Sequence, residues 1–215
     1  MADQFVLPAD ARVFLGRLTR LDPAAVVRLR PAGGADAART SLWARLPWHV
    51  LVTRDVSAPA PGDLTVAAAA LLDSRGPLPP RRDARWRWSL PPGPGEVVEE
   101  VPAASLRRIA AAAADTLREV ATGGLSGRAV GVRVVREALL DHVAIVVESA
   151  GSPIEVPQRL VQGLLQMGFL GQPAAEEPAV QVRCGARWVG LAARYGTAWL
   201  PPASRLAVRP VQHAT

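Results

Sequence analysis

An α+β fold, with mostly antiparallel strands and a central helical hairpin, follows from three features of the sequence. Short segments rich in Val, Leu and Trp recur near both ends, as in AVVRLRP, LWARLPWHVLV, AVQVRCG and RWVGLAARYGTAWL. Between them stands a long alanine-rich stretch of helical period, residues 103–121, followed by a second helical segment. Neighbouring strand segments are joined by short turns, which suit antiparallel pairing, whereas parallel strands need long crossovers.

Each element has its own local reason. PADARVFLGRLTRL (8–21) carries Pro8 at the first turn and Phe14, Leu18 and Leu21 at helical spacing, which predicts a helix. AVVRLRP and SLWARLPWHVLVTRDV read as strands, the second interrupted at Pro47, and DLTVAAAALLDS (63–74) reads as a short helix between proline-rich breakers. In AASLRRIAAAAADTLREVA, the residues Leu106, Ile109, Ala113, Leu117 and Val120 form one apolar stripe. The segment 128–141 is read as helix on the shared face of Val134, Val135, Ala138 and Leu139. HVAIVVES and IEV make a hairpin across AGSP, PQRLVQGLLQMGFLG (157–171) a helix, and the last Trp-containing segments a strand pair.

The breaker RGPLPPRRD suggests a division into an N-terminal lobe, 1–80, and a C-terminal lobe, 81–215, unless both pack as one domain. Because the order helix, strand, loop, Trp-containing strand occurs at both ends, a duplicated helix-strand-strand unit is also an expectation. With 215 residues the chain can bury a substantial core without a disulfide or metal. The single Cys184, the lack of a leader-like N-terminus and the lack of any apolar run of ~18–20 residues predict a cytoplasmic protein with no membrane partner.

The net charge of +6 ordinarily points to a polyanion. All 25 basic residues are arginine, however, and lysine and asparagine are absent, so much of the composition reflects a GC-rich genome. Catalytic and metal-binding patterns are equally sparse. His49, His142 and His213 lie on separate segments with no metal-ligand spacing, and no nucleophile elbow or phosphate-binding glycine motif is present. No cofactor is therefore expected. Cys184 with His142 is the one conceivable nucleophile and base, although a small core-facing thiol explains Cys184 more simply. Glu99, Glu100, Glu176 and Glu177 are expected in solvated loops.

Two stretches carry the remaining interest. In RRDARWRW, strand alternation would put Trp86 and Trp88 toward the core and Arg85 and Arg87 toward water, with Arg81 and Arg82 in the preceding loop. The segment TGGLSGRAVGVRVVREALL resembles, in outline, the helix-turn-helix of DNA-binding regulators, with Gly124 at the turn and Arg133 and Arg136 on the second helix. It also resembles the KH RNA-binding module, since Gly124 to Gly127 is a GxxG between helices; that likeness implies a backbone clamp. Val130, which both would bury, turns away from the apolar face, and the GxxG holds no basic residue, so a plain helical hairpin is the preferred expectation. The sequence thus predicts a non-catalytic binding protein, acting on DNA or RNA through Arg81, Arg82, Arg85, Arg87, Gly124, Gly127, Arg128, Arg133 and Arg136. A protein-interaction module or homo-oligomer without a nucleic-acid role is the alternative, and an enzyme using Cys184 and His142 ranks last.

Overall fold

The computed structural model describes residues 5–32, 38–123, 132–149, 152–174 and 176–201. Apolar residues at helical spacing build α1 (Ala9–Leu21), whose Ala11, Phe14, Leu15 and Leu18 are buried. Three strands follow as a meander: β1 (Val26–Pro31), β2 (Thr40–Arg45) and β3 (Leu51–Val56). The expected single strand around Pro47 is in fact the β2–β3 hairpin, whose turn carries His49 at φ 69°, and Trp48 lies in that turn rather than on a strand. Likewise DLTVAAAALLDS begins as a strand, β4 (Leu64–Ala67), and only then becomes α2 (Ala68–Asp73). Its β4 residues pair with β1, and that ladder outweighs the helix propensity of the alanines.

The second half starts with β5 (Glu96–Val101), a strand where loop carboxylates were expected at Glu99 and Glu100. Then come α3 (Ala103–Gly123) and α4 (Val132–Asp141), followed by the hairpin of β6 (Val143–Ser149) and β7 (Ser152–Pro157), and then α5 (Gln158–Gln166). On α4, Val135 and Leu139 turn inward, whereas Val134 and Ala138 are exposed, so the buried face is narrower than the sequence suggested. The described residues close with three strands instead of a pair, β8 (Val180–Gly185), β9 (Trp188–Ala193) and β10 (Gly196–Leu200). Both ends thus run helix and then three-strand meander.

The strands other than the β6–β7 hairpin form one eight-stranded antiparallel sheet in the order β4-β1-β2-β3-β10-β9-β8-β5. The order is mirrored about β3 and β10, whose pairing joins the halves. Alternation along the strands gives the sheet two unlike faces. One side, with Leu29, Leu42, Val52, Ala198 and Leu191, is buried beneath α1, α2, α3, α5 and the β6–β7 hairpin in one continuous core. Across this core the rings of Phe14 and Phe169 stack, with centroids 6.3 Å apart and planes 8° from parallel.

The other side is covered by residues 81–95, which are not a strand. After a single 3₁₀ turn at Asp83–Arg85 the segment runs without ladder partners, yet its burial alternates, with Trp86, Trp88 and Leu90 half-buried and Arg85 and Arg87 exposed. It is a strap. Its tryptophans, with Leu90, join Leu51, Trp43, Trp188 and Trp199 in a second, smaller apolar cluster on this outer face. Near the β4 edge the strap is fixed by Asp83, which accepts the Thr65 backbone N–H at 2.7 Å and pairs with Arg81 at 2.7 Å. Beside it Asp63 is gripped by both Arg28 nitrogens, at 2.7 and 2.9 Å, and by Arg30 at 3.1 Å. At the far end Gly95, at φ 68°, brings its backbone against the Cys184 carbonyl and the Trp199 ring, space that a Cβ would occupy.

Two expectations follow. Truncating Phe14 or Phe169 to Ala should each cost about 3–5 kcal/mol, and a double-mutant cycle read from urea midpoints should leave a coupling of about 0.5–1.5 kcal/mol for the stacked pair. The second concerns acid. The Arg28 hydrogen bond holds the Asp63 carboxyl below the usual carboxylate range, and the Thr65 N–H does the same for Asp83. Their stabilisation is present above the unfolded value of about 4 and is lost as pH falls through the lower folded values. The melting temperature should therefore drop on acidification below about pH 4, and Asp63→Asn/Asp83→Asn should flatten that drop in a circular-dichroism melt series. Asp63 is 41% exposed, so the effect is damped by solvent; an unchanged acid profile would show that these pairs do not stabilise the fold.

Candidate ligand-binding cleft and the arginine strap

A cavity of about 820 Å³ lies on the helix side of the fold, between the end of α1, the β2–β3 turn, α3, α4 and α5. Its apolar lining comes from half-buried side chains that the main core does not use up, among them Leu21, Trp48, Leu117, Leu139 and Leu140. Two sets of its polar lining residues stand out. Arg133 and Arg136, three residues apart and so neighbours on α4, are exposed there and have no carboxylate within 4 Å among the described residues. Opposite them, Gln158, Gln162 and Gln166 form an amide stripe along α5 at helical spacing, with burial decreasing from the first to the last.

The inner part of the cleft is braced by Arg159. Its guanidinium donates to the Trp48 carbonyl at 3.1 Å and to Asp141 of α4, while the Trp48 indole N–H donates to the Arg159 carbonyl at 3.2 Å. Burial pulls the Arg159 pKa below its ordinary value, and arginine stays charged regardless. This clamp ties the β2–β3 turn to both helices. Gln158 is only 3% exposed, and its side-chain amide nitrogen has no hydrogen-bond partner among the described residues. Leaving such a donor dry and unpaired costs about 1–3 kcal/mol, so it marks where an acceptor would be welcome.

The sequence-predicted arginines divide between two layers. Arg133 and Arg136 line the cleft on the helix side, whereas Arg81, Arg82, Arg85 and Arg87 follow the strap on the opposite face of the sheet. Of the strap set Arg81 is tied to Asp83 and to the Asp63 carbonyl, while Arg82, Arg85 and Arg87 are exposed and make no side-chain ion pair among the described residues. Gly124, Gly127 and Arg128 lie outside the described residues. Cys184 is half-buried on β8 and His142 is exposed at the end of α4, and neither lines the cleft. Among the described residues no group of three or more His, Cys, Asp and Glu is placed to hold a metal ion, and no helix is long and apolar enough to cross a membrane.

Sequence reasoning missed Trp48, Arg159 and the glutamines. The stripe was readable in PQRLVQGLLQMG, where Gln recurs every fourth residue beside the buried face of Leu160, Val161 and Leu164. It carries no catalytic signature, so nothing in its chemistry singled it out.

No curated protein matches the chain. Residues 6–83 match a family described as Domain of unknown function (DUF8010), and residues 90–205 one described as Domain of unknown function (DUF8185). The two matches meet within the strap, and each supplies four adjacent strands of the sheet. With more than half its length matched by the latter, the chain belongs to the DUF8185 family.

Proposed function

We propose that this chain is a non-catalytic, cytoplasmic binding protein whose partner carries negative charge and seats in the helix-side cleft. The observation that carries the reading is the pair Arg133 and Arg136, exposed at a cavity of about 820 Å³ and not neutralised by a carboxylate within 4 Å among the described residues. The cavity is of the size that small ligands occupy, ~300–1,000 Å³, and it combines an apolar lining with a few polar groups, as such sites do. The single free Cys184 suits a reducing setting.

A second reading, nucleic-acid binding, is favoured by Arg82, Arg85 and Arg87, which stand exposed along one strap. The cleft and strap arginines lie on opposite faces of the sheet, so each reading has its own variant. Thermal shift with inorganic phosphate, citrate and an oligo-dT strand should show stabilisation that Arg133→Gln/Arg136→Gln weakens about tenfold or more in concentration. If the strap is the site, anisotropy of labelled oligo-dT should instead respond to Arg82→Gln/Arg85→Gln/Arg87→Gln, with a log–log salt slope of about −2 for three phosphate contacts. Stabilisation by none of these anions, or stabilisation indifferent to both variants, overturns the proposal.

A further inference from the structure

We infer that the cleft takes an amphipathic small-molecule acid: an apolar chain or ring body on the leucines, a hydrogen-bond acceptor at the Gln158 amide, and a carboxylate or phosphate held by Arg133 and Arg136. This deepens the proposed function and rests on the cleft being the binding site. Three observations of different kinds converge on one ligand shape.

The first is apolar. Leu117, Leu139 and Leu140 are only half-buried and all line the cavity, so covering them would remove apolar surface from water. A purely ionic ligand such as inorganic phosphate leaves that surface wet. The second is the arginine pair on α4, whose planar forks suit a carboxylate or phosphate in two-point contact. Glu137 and Asp141 also line the cleft; Asp141 is engaged by Arg159, and Glu137 makes no ion pair within 4 Å among the described residues, so Arg133 and Arg136 leave the lining with one net positive charge. A cationic amphiphile would meet these guanidiniums and bind poorly.

The third is Gln158. Its side chain is buried and lines the same cavity, and its amide nitrogen donates to nothing among the described residues. An acceptor delivered by the ligand would complete it. The nitrogen itself is closed to solvent, so the side chain must rotate toward the cavity for an acceptor to meet it. The cavity, about 820 Å³, is of the size that favours a small molecule over a docked protein helix, and the flanking Gln162 and Gln166 offer further donors and acceptors toward the exposed end of the stripe.

Calorimetric titration of the full chain with straight-chain carboxylates, acetate through decanoate, tests each part separately. Affinity should rise about fourfold per methylene until the cleft is filled. Arg133→Gln/Arg136→Gln should weaken decanoate about tenfold or more while a decanol control is unchanged. A hydroxyl at the far end of the chain, in ω-hydroxydecanoate, should bind several-fold better than decanoate, and Gln158→Leu should abolish that advantage. Should Gln158→Leu fail to fold, Gln162→Leu with the same two ligands, and the chain-length series on the unaltered protein, still decide the matter. Equal affinity for acetate and decanoate, with the arginine dependence kept, would overturn the amphipathic ligand and leave the anion-binding reading intact. Binding of decyltrimethylammonium as tightly as decanoate, with no effect of the arginine variant, would overturn both. Capture of an acidic amphipathic peptide but not of the carboxylates would replace the small molecule by a protein partner.

Discussion

The pairing of β3 with β10 is the constraint on which the rest of the molecule depends. Only three residue pairs make it, Thr53 with Thr197, Val52 with Ala198 and Leu51 with Trp199, yet it turns two four-stranded halves into one sheet. Successive pairs point to opposite faces, and the two faces have different duties. Val52 and Ala198 face the helices, where Gly163 of α5 lies so close that an added Cβ would stand 3.2 Å from Val50 and 3.5 Å from Ala198. A small residue on both sides of this contact lets α5 lie against the seam, and that placement aims its glutamine stripe into the cleft. Leu51 and Trp199 face outward and form the floor on which the strap rests.

The outer face shows how the sheet tolerates a second core without a second layer of helices. Trp199 lies across Gly190 of β9, where a Cβ would approach the indole to 2.5 Å. Trp86 and Trp88 meet edge to face with centroids 5.1 Å apart, and the Trp86 indole N–H is satisfied by the Trp88 carbonyl at 2.8 Å. Arg28 lies 5.7 Å from the Trp86 ring and Arg45 5.0 Å from that of Trp88. Burial pulls the Arg45 pKa below its ordinary value, so the ring faces replace part of the hydration that its charge has lost. Strap and sheet are thus joined by stacking and cation–π contact instead of a hydrogen-bonded ladder, and this is why the segment can cross the strands.

That distinction also explains what the sequence could and could not tell. Period-two burial of Trp86 and Trp88 was legible, but alternation alone does not make a strand; a partner must run alongside, and partners are set by the fold. β5 failed for the opposite reason: EVVEEV alternates poorly because a register shift between Val97 and Glu99 breaks its ladder with β8, and as an edge strand it is exposed along much of its length. The β2–β3 turn has no Asn-Gly or Gly signal, and His49 takes the left-handed conformation there. By contrast α1, α3, α5 and the β6–β7 hairpin follow directly from their patterns, because each buries a single face against one core. In the candidate site, Arg133 and Arg136 were legible as exposed charge on α4. Their cleft was not, since it exists only where α3, α4, α5 and a turn distant in sequence converge.

The lysine-free composition sharpens this last point. In a chain whose only permanent cation is arginine, structural and functional duties fall to one residue type. Arg28 grips Asp63 with two nitrogens, Arg159 braces the cleft through a carbonyl and a carboxylate, Arg107 donates to the carbonyls of Leu170 and Gly171, and Arg183 reaches the Pro94 carbonyl in the strap. These are fork-shaped tasks that an ammonium performs less well, and they consume charge that would otherwise read as a polyanion surface. The net +6 is therefore no map of a binding face. Function is better sought where guanidiniums have no such structural task among the described residues and also border a concave, partly apolar surface, and Arg133 and Arg136 meet both conditions, whereas Arg82, Arg85 and Arg87 meet the first.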